Sequence, residues 1–285
     1  MRLGAYIDEF SSAEAWAKRH VELGYGAAYW PREIVDYRSG DDQIDAYHQA
    51  AIRHGLVIAE VGAWNNLLDA DPVRRRENME YAIGQLRLAD RVGARCVINI
   101  SGSRNPRYWD GPSAENLTED TFDAIVDSIR QIIDTAKPQH TYYTVEPMPW
   151  MVPYDIRTQA KLIDRVNRSQ FGVHVDMCNM LNSMERVFHN ADVTREFFRE
   201  FGSLIRSVHA KDSMIHENEL TLRIREAIPG EGMFDHAALL HCCNALDPDL
   251  PFMAEHLNTQ AEYHRATQFF KQKARELGMD FVRGY

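Results

Sequence analysis

The sequence lacks a run of apolar residues long enough to cross a membrane, and it is poor in cysteine. A membrane-spanning helix needs roughly 18 or more consecutive apolar residues, and the opening MRLGAYIDEF also lacks the apolar core of a secretory signal. The four cysteines show no CxxC spacing, and the adjacent Cys242 and Cys243 are poorly placed to form a disulfide with each other. We therefore expect a cytoplasmic protein that does not bind a membrane.

Positive charge is also scarce. The chain has 32 lysines and arginines against 42 aspartates and glutamates, which gives a formal net charge of -10. No basic cluster offsets this excess, so binding to nucleic acid is not expected. The sequence has neither a GxGxxG motif after its first β-rich segment nor a P-loop, so a nucleotide-binding doubly wound fold is only the second choice.

Eight short β-rich segments alternate with longer amphipathic ones along the whole chain. The β-rich segments are 2–7, 26–30, 56–62, 96–101, 141–147, 171–176, 205–210 and 251–256. Regular alternation of this kind predicts a parallel sheet surrounded by helices, and eight units in 285 residues match the size of a (β/α)8 barrel. No Gly/Ser-rich or Pro-rich linker divides the chain. We therefore predict an α/β protein with a single TIM-barrel domain over residues 1–285.

Ionisable residues stand at the ends of the last four predicted strands, in the order Glu146, Asp176, His209 and Glu255. In (β/α)8 barrels the active-site residues lie at the carboxyl ends of the strands, so these four side chains are expected to lie close together. Three carboxylates and one imidazole suit one divalent metal ion, with Mn²⁺ first and Mg²⁺, Co²⁺ or Zn²⁺ as alternatives. The competing interpretation is local, with Asp176 only capping the loop that follows it.

A site of this composition is suited to proton transfer beside a carbonyl group. A metal that chelates a ketone oxygen and a neighbouring hydroxyl acidifies the C–H bond between them. Glu146 and Glu255 are candidates for removing and returning that proton. His174 shares a strand face with Asp176 and is a candidate proton shuttle, whereas strand alternation places His256 on the opposite side from Glu255. The same deprotonation could instead expel a leaving group or break a C–C bond.

Other residues near strand ends are candidates for binding a sugar. Lys211 lies two residues after His209, so it is expected to point to the same side and to contact a substrate oxygen. The remaining candidates sit at or just beyond the ends of earlier strands, where stacking and hydrogen bonds can hold a sugar ring; they are Tyr6, Trp30, Glu60, Asn99 and Trp109.

Five motifs resemble the sugar isomerase/epimerase superfamily, whose members include xylose isomerase, the ketose 3-epimerases and endonuclease IV. The motifs are VEP at Glu146, GVHVDMCN at Asp176, HAKD at His209, IPGEGMFDHAAL at 228–239 and AEH at Glu255. The resemblance spans essentially the whole chain and implies a (β/α)8 barrel. It also implies that the four residues at the strand ends hold one Mn²⁺-type ion, and that Glu146 and Glu255 transfer protons.

Two positions depart from the pattern of the ketose 3-epimerases. Asn179 stands where those enzymes usually have a histidine that contacts sugar oxygens, so Asn179 becomes the candidate substrate contact. They also have an arginine six residues after the seventh-strand histidine, whereas this chain has a longer insertion in which Arg223 and Arg225 are approximate counterparts. The additional metal ligands and the basic surface of endonuclease IV are not evident.

The sequence therefore predicts a metal-dependent isomerase or epimerase that acts on a keto sugar or a sugar derivative. One alternative is cleavage of an oxidised sugar, as in superfamily members that serve as a 3-oxo-glycoside C-deglycosidase subunit or that decarboxylate sugar acids. Another is a barrel that binds sugar without catalysis. The expected partners are a small sugar substrate and either further copies of this chain or a second subunit.

Overall fold

Strands and helices alternate along the chain, which confirms the predicted α/β class. The structure is a computed structural model that describes residues 1–216, 218 and 220–285. The strands of this described part are β1 (Arg2–Ala5), β2 (Ala27–Tyr29), β3 (Val57–Gly62), β4 (Cys96–Asn99), β5 (Tyr143–Val145), β6 (Val173–Asp176), β7 (Ile205–Ala210), β8 (Asp212–Ile215), β9 (Ile224–Ala227) and β10 (Pro251–Ala254). Its α-helices are α1 (Ala13–Glu22), α2 (Asp41–Arg53), α3 (Pro72–Arg91), α4 (Glu119–Ala136), α5 (Ile156–Val166), α6 (Met177–Met180), α7 (Met184–Phe188), α8 (Asn190–Phe201), α9 (His236–Asn244) and α10 (Gln260–Glu276).

The strands form two four-stranded sheets, in the orders β1-β10-β7-β6 and β2-β3-β4-β5. β1 pairs in parallel with β10, with Leu3 opposite Phe252, and β10 pairs in parallel with β7, with Met253 opposite His209. The first strand of the chain thus pairs with the last strand of the parallel set, as closure of a barrel requires. The eight predicted segments correspond to β1–β7 and β10, and each observed strand begins within two residues of its predicted start.

An antiparallel hairpin was not among the predicted strands. It is formed by β8 and β9, with Asp212 opposite Ala227 and Ile215 opposite Ile224. β8 begins at the last residue of the HAKD motif, and β9 ends directly before the IPGEG motif, so both strands of the hairpin lie between β7 and that turn.

Helix ends follow from capping residues in the sequence. The Asp71 side chain accepts a hydrogen bond from the backbone N–H of Val73, and Pro72 occupies the first turn of α3, where its missing N–H carries no cost. At α5, Asp155 and Thr158 form a reciprocal capping box. These ends fix where each helix leaves the preceding loop. Among the described residues, no helix combines the length and the apolar character that crossing a bilayer demands.

The chain divides into two compact units. The first unit comprises Met1–Tyr29, Ala46–Ala59 and Val175–Tyr285, and the second comprises Trp30–Asp45 and Glu60–His174. In the first unit, large side chains such as Phe197, Phe252 and Phe270 are fully buried. In the second unit, the fully buried side chains include Leu86, Ile98, Ile125, Ile129 and Ile132. Each unit therefore has its own apolar core.

Candidate metal centre

Three of the predicted metal ligands meet at strand ends in the first unit. Asp176 ends β6, His209 lies near the end of β7, and Glu255 directly follows β10. One oxygen or nitrogen atom from each of the three lies within 4.8 Å of the others. His209 Nδ1 is 2.9 Å from Glu255 Oε2, and these two side chains are 0% and 15% exposed. Two carboxylates and an imidazole at this spacing fit a divalent metal ion that accepts both oxygen and nitrogen ligands.

Asp176 uses its two carboxylate oxygens differently. Oδ1 accepts a hydrogen bond of 3.1 Å from the backbone N–H of Asn179, which caps the short helix α6. Oδ2 lies 2.8 Å from Lys211 Nζ. The fully buried Asp176 side chain therefore both caps α6 and contacts a cationic side chain, and its role as a metal ligand stays a prediction.

Lys211 places a positive charge between two of the carboxylates. Its ammonium is 2.8 Å from Asp176 Oδ2 and 3.1 Å from Glu255 Oε2, and its side chain is only 2% exposed. Burial disfavours the ionised form of Glu255, but the charges of His209 and Lys211 outweigh this effect and hold its pKa well below the usual value. Glu255 is therefore ionised at neutral pH.

His256 and Glu226 extend the same cluster. His256 Nδ1 is 2.8 Å from Glu226 Oε1, and Lys211 Nζ is 3.1 Å from that nitrogen. Burial lowers the pKa of His256. The hydrogen bond to Glu226 and the charges of Glu255 and Glu226 together outweigh burial, so the pKa of His256 is raised overall. The strand-alternation argument that turned His256 away was wrong, because β10 ends at Ala254 and His256 has a positive φ of 56°.

Glu226 was missed by the sequence argument. It lies on β9 of the hairpin, where it is about half exposed, with Oε1 3.7 Å from Lys211 Nζ. Burial would raise its pKa, but His256 and Lys211 lower it overall. The signal that could have identified it is the alternation of apolar and polar residues in LTLRIR (220–225), directly before Glu226, which is typical of a strand.

Asp212 fixes the turn that follows the hairpin. Its Oδ2 accepts hydrogen bonds from the backbone N–H groups of Gly230 (2.9 Å) and Gly232 (3.0 Å), and its Oδ1 accepts one from Phe234 (3.0 Å). A Cβ atom on Gly232 would lie 2.2 Å from Asp212 Oδ1, so only glycine fits there. The side chain of Asp212, the residue next to Lys211, thus holds the IPGEG motif through the backbone N–H groups of its two glycines.

The second unit contains other predicted catalytic residues. Glu146 directly follows β5, is 3% exposed, and donates its backbone N–H to the carbonyl oxygen of Asn99. Glu60 and His174 lie side by side, with Glu60 Oε2 3.7 Å from His174 Nδ1 and neither side chain more than 1% exposed. A carboxylate beside a buried imidazole can fix its orientation and stabilise its protonated form.

Two predicted substrate residues are engaged in contacts within the second unit. Asn99 is fully buried; its Oδ1 accepts from the backbone N–H groups of Asn65 and Ile100, and its Nδ2 donates to Asn65 Oδ1 and lies 3.4 Å from the Tyr143 hydroxyl. The indole N–H of Trp30 donates to the carbonyl of Val35 at 2.6 Å. The polar groups of both side chains therefore serve the local structure.

Of the remaining predicted substrate residues, Tyr6, Trp109 and Arg225 are exposed and Asn179 is buried. Tyr6 is 49% exposed, and its ring lies 6.1 Å from that of Tyr263. Trp109 is 46% exposed, in the loop after β4. Arg225 is exposed on β9, with Nη2 3.1 Å from the Met214 sulfur. Asn179, on α6, is 9% exposed and contacts Asp176 through its backbone.

The chain belongs to the xylose isomerase-like TIM barrel family, whose family model matches residues 16–277. This membership confirms the predicted fold and the resemblance drawn from the strand-end motifs. A curated relative, a probable endonuclease 4 from Persephonella marina, is 21% identical over 245 residues, which cover 81% of this chain and 82% of that protein.

Solved structures share the fold at low sequence identity. Endonuclease IV from Thermus thermophilus superposes with a TM-score of 0.72 at 16% identity, covering 97% of this chain and 100% of that one. D-psicose 3-epimerase from Clostridium cellulolyticum, solved with D-tagatose, gives 0.69 at 13% identity and covers 95% and 99%. A xylose isomerase-like TIM barrel protein from Mycobacterium smegmatis, solved with magnesium, gives 0.66 at 15% identity and covers 92% and 89%.

Proposed function

We propose that this protein is a divalent-metal-dependent isomerase or epimerase of a keto sugar or sugar derivative. The observation that supports the proposal most directly is the meeting of Asp176, His209 and Glu255 at the ends of β6, β7 and β10. Two carboxylates beside an imidazole offer oxygen and nitrogen ligands to a divalent ion, whose charge would offset the repulsion between the carboxylates. We propose Glu146 as the fourth ligand.

The proposed ligands, which are carboxylates and one imidazole, favour some divalent metals over others. Carboxylate oxygens favour Mn²⁺ and Mg²⁺, and the imidazole also admits Co²⁺ or Zn²⁺, so Mn²⁺ is our first choice. A magnesium-containing relative of the same fold supports a hard divalent ion. When bound, the ion would polarise a ketone oxygen and acidify the adjacent C–H bond.

The side chains themselves transfer the proton. Glu146 and Glu255 are proposed to act on opposite faces of the substrate, one removing the proton and the other returning it. Glu255 is ionised at neutral pH, which suits a base. His174, held beside Glu60, is proposed to relay the proton, and Lys211 to contact a substrate oxygen. Tyr6, Trp109, Asn179 and Arg225 are proposed to contact the rest of the sugar.

Hydrogen exchange provides the sharpest test, because it reports proton transfer whatever the final product. Chelator-treated protein reloaded with Mn²⁺ is incubated with a panel of ketoses in D₂O, and NMR follows deuterium entering the carbon beside the carbonyl. Exchange should require the metal and should fall at least about 100-fold in Glu146→Gln and Glu255→Gln. Glu119→Gln, at an exposed ion pair with Lys161, is the matched control. Equal exchange by the chelated protein would contradict the proposal.

Cleavage of an oxidised sugar is the second candidate. The segment after Glu146 supports it, because Trp150 there is 37% exposed while its indole N–H is fixed to the Asp110 carbonyl at 2.7 Å, leaving an aromatic surface. Incubation with 3-oxo-glycosides distinguishes the two reactions: free aglycone indicates cleavage, whereas a changed stereocentre alone indicates epimerisation. Binding of a sugar without exchange or cleavage would indicate a non-catalytic barrel.

Nuclease activity is the outcome to exclude, since a probable endonuclease 4 is among the relatives. The formal charge of -10 opposes binding to the phosphate backbone of DNA. Incubation with the metal-loaded protein should therefore leave abasic DNA uncut.

We further propose a cytoplasmic location, which the four free cysteines support. We also propose assembly with further copies of this chain or with a second subunit, and light scattering would measure the mass of the assembly.

A further inference from the structure

We infer that Lys211 is a built-in cation that competes with the metal ion for Asp176 and Glu255, and that Glu226 on the hairpin receives the Lys211 ammonium when the metal binds. The inference rests on the proposed function, because it concerns the affinity of the same metal centre. All of these residues lie in the first unit, so every contact used here is internal to that unit.

The first step concerns the position of the ammonium. Lys211 Nζ is 2.8 Å from Asp176 Oδ2 and 3.1 Å from Glu255 Oε2. These are carboxylates of the proposed metal centre, so an ion that they hold would lie within a few ångströms of Nζ. The Lys211 side chain is 2% exposed, so water and salt screen the repulsion poorly. The ammonium therefore lowers the affinity of the site for a divalent cation.

The second step concerns where the ammonium can go. Glu226 Oε1 is 3.7 Å from Lys211 Nζ, slightly beyond hydrogen-bonding distance, and is 2.8 Å from His256 Nδ1. A lysine carries its charge on a flexible four-carbon stem with three donors, so a small rotation brings Nζ onto Glu226. The Glu226 carboxylate then pairs with the Lys211 ammonium, which has moved away from Asp176 and Glu255. The hairpin insertion thereby becomes part of the metal centre.

Calorimetric titration of the chelator-stripped full chain with Mn²⁺ tests the first half. Lys211→Met should bind Mn²⁺ at least about tenfold more tightly than the unmodified protein, because a nearby like charge is removed. Lys161→Met removes an exposed charge that pairs with Glu119 and should leave the affinity unchanged. In chelator, Lys211→Met should melt at a lower temperature, because Asp176 and Glu255 lose their counter-charge. Lys211→Gln, which keeps a polar but uncharged group on this side chain, replaces the methionine variant if that one does not fold.

A double-mutant cycle tests the second half. Glu226→Gln should weaken Mn²⁺ binding several-fold in the unmodified background, because Lys211 is then retained by Asp176 and Glu255. In the Lys211→Met background the same change should have almost no effect. An equal effect in both backgrounds would mean that Glu226 acts only as a distant charge, and would overturn its assigned role.

The remaining outcomes separate the inference from the proposed function. If the unmodified protein binds Mn²⁺ and Lys211→Met binds it equally or more weakly, the inference is wrong and the metal centre stands. If neither protein binds Mn²⁺, the proposed metal-dependent function fails, and the inference fails with it. Binding by Lys211→Met alone would support the inference in its strongest form.

Discussion

Asp176 combines a structural contact and a charge, and the Asp176→Asn variant separates them. The amide retains an oxygen that can cap α6 through the backbone N–H of Asn179, but it removes the charge that faces Lys211. We expect a folded protein whose unfolding free energy falls by about 1–3 kcal/mol. Metal affinity should fall at least about 100-fold. Removing a contact that only supports a metal ligand already weakens binding by about 10- to 100-fold, and removing the ligand itself should weaken it at least as much.

Metal content after dialysis and the melting temperature, measured together, check this expectation. Asp192→Asn, at an exposed aspartate on α8, is the matched control and should change neither quantity. Unchanged metal content with a lowered melting temperature would show that Asp176 acts only as a cap, and the ligand assignment would be wrong.

His20 predicts how stability depends on pH. It is 1% exposed, its Nδ1 lies 2.8 Å from the Trp16 carbonyl oxygen, and burial lowers its pKa to about 4. Between pH 6.5, the pKa of histidine in the unfolded chain, and about pH 4, His20 is protonated in the unfolded chain but neutral in the folded one. The unfolded chain is therefore favoured by protonation, and stability falls as the pH decreases towards 4. At pH 5 the loss from this residue is about 2 kcal/mol. Urea unfolding at pH 7 and pH 5 should show a correspondingly smaller decrease for His20→Gln, and identical decreases would refute this account.

At the level of elements, the β8–β9 hairpin and the turn after it depend on Asp212. Its carboxylate is fully buried and accepts backbone hydrogen bonds from Gly230, Gly232 and Phe234. Burial alone would raise its pKa, but His236 and these N–H groups lower it overall. In Asp212→Asn an amide NH₂ must face backbone donors, so at least one N–H loses its acceptor. We expect a loss of about 2–4 kcal/mol in unfolding free energy and faster proteolysis within 212–232. A stability equal to that of the Asp192→Asn control would contradict this expectation.

The same elements show what the sequence could and could not predict. The parallel strands were predictable because strands buried on both faces are nearly continuous apolar runs, as in β10, where all four residues are buried. An ionisable residue at the end of such a run, such as Glu255, is therefore conspicuous. The contact of Glu226 with Lys211 was not predictable in this way, because it depends on how a hairpin folds back over the strand end. His256 was misplaced because its backbone leaves the strand with a positive φ.

In the molecule as a whole, the two compact units are interleaved along the chain. Their boundaries follow residues 29, 45, 59 and 174, and the last two fall inside β3 and β6. Neither unit is a continuous segment of the chain. Because β3 and β6 each contribute residues to both units, unfolding of one unit would disrupt a strand of the other. We propose, as the sequence predicts, that residues 1–285 form a single domain.

A single cooperative transition is therefore expected on unfolding in urea. Of the five tryptophans, Trp16 alone lies in the first unit, so fluorescence reports mainly on the second unit, whereas far-ultraviolet circular dichroism reports helices of both. The two signals should give the same midpoint, as a two-state transition requires. In Trp16→Phe, whose fluorescence comes only from the second unit, the fluorescence and circular dichroism midpoints should still agree.

Mn²⁺ should stabilise the whole chain at once. At about 100 times its dissociation constant, Mn²⁺ should raise the unfolding free energy reported by both signals by about 2.7 kcal/mol. A fluorescence transition that precedes the loss of helix signal would show that the units unfold separately, and the chain would then have two domains.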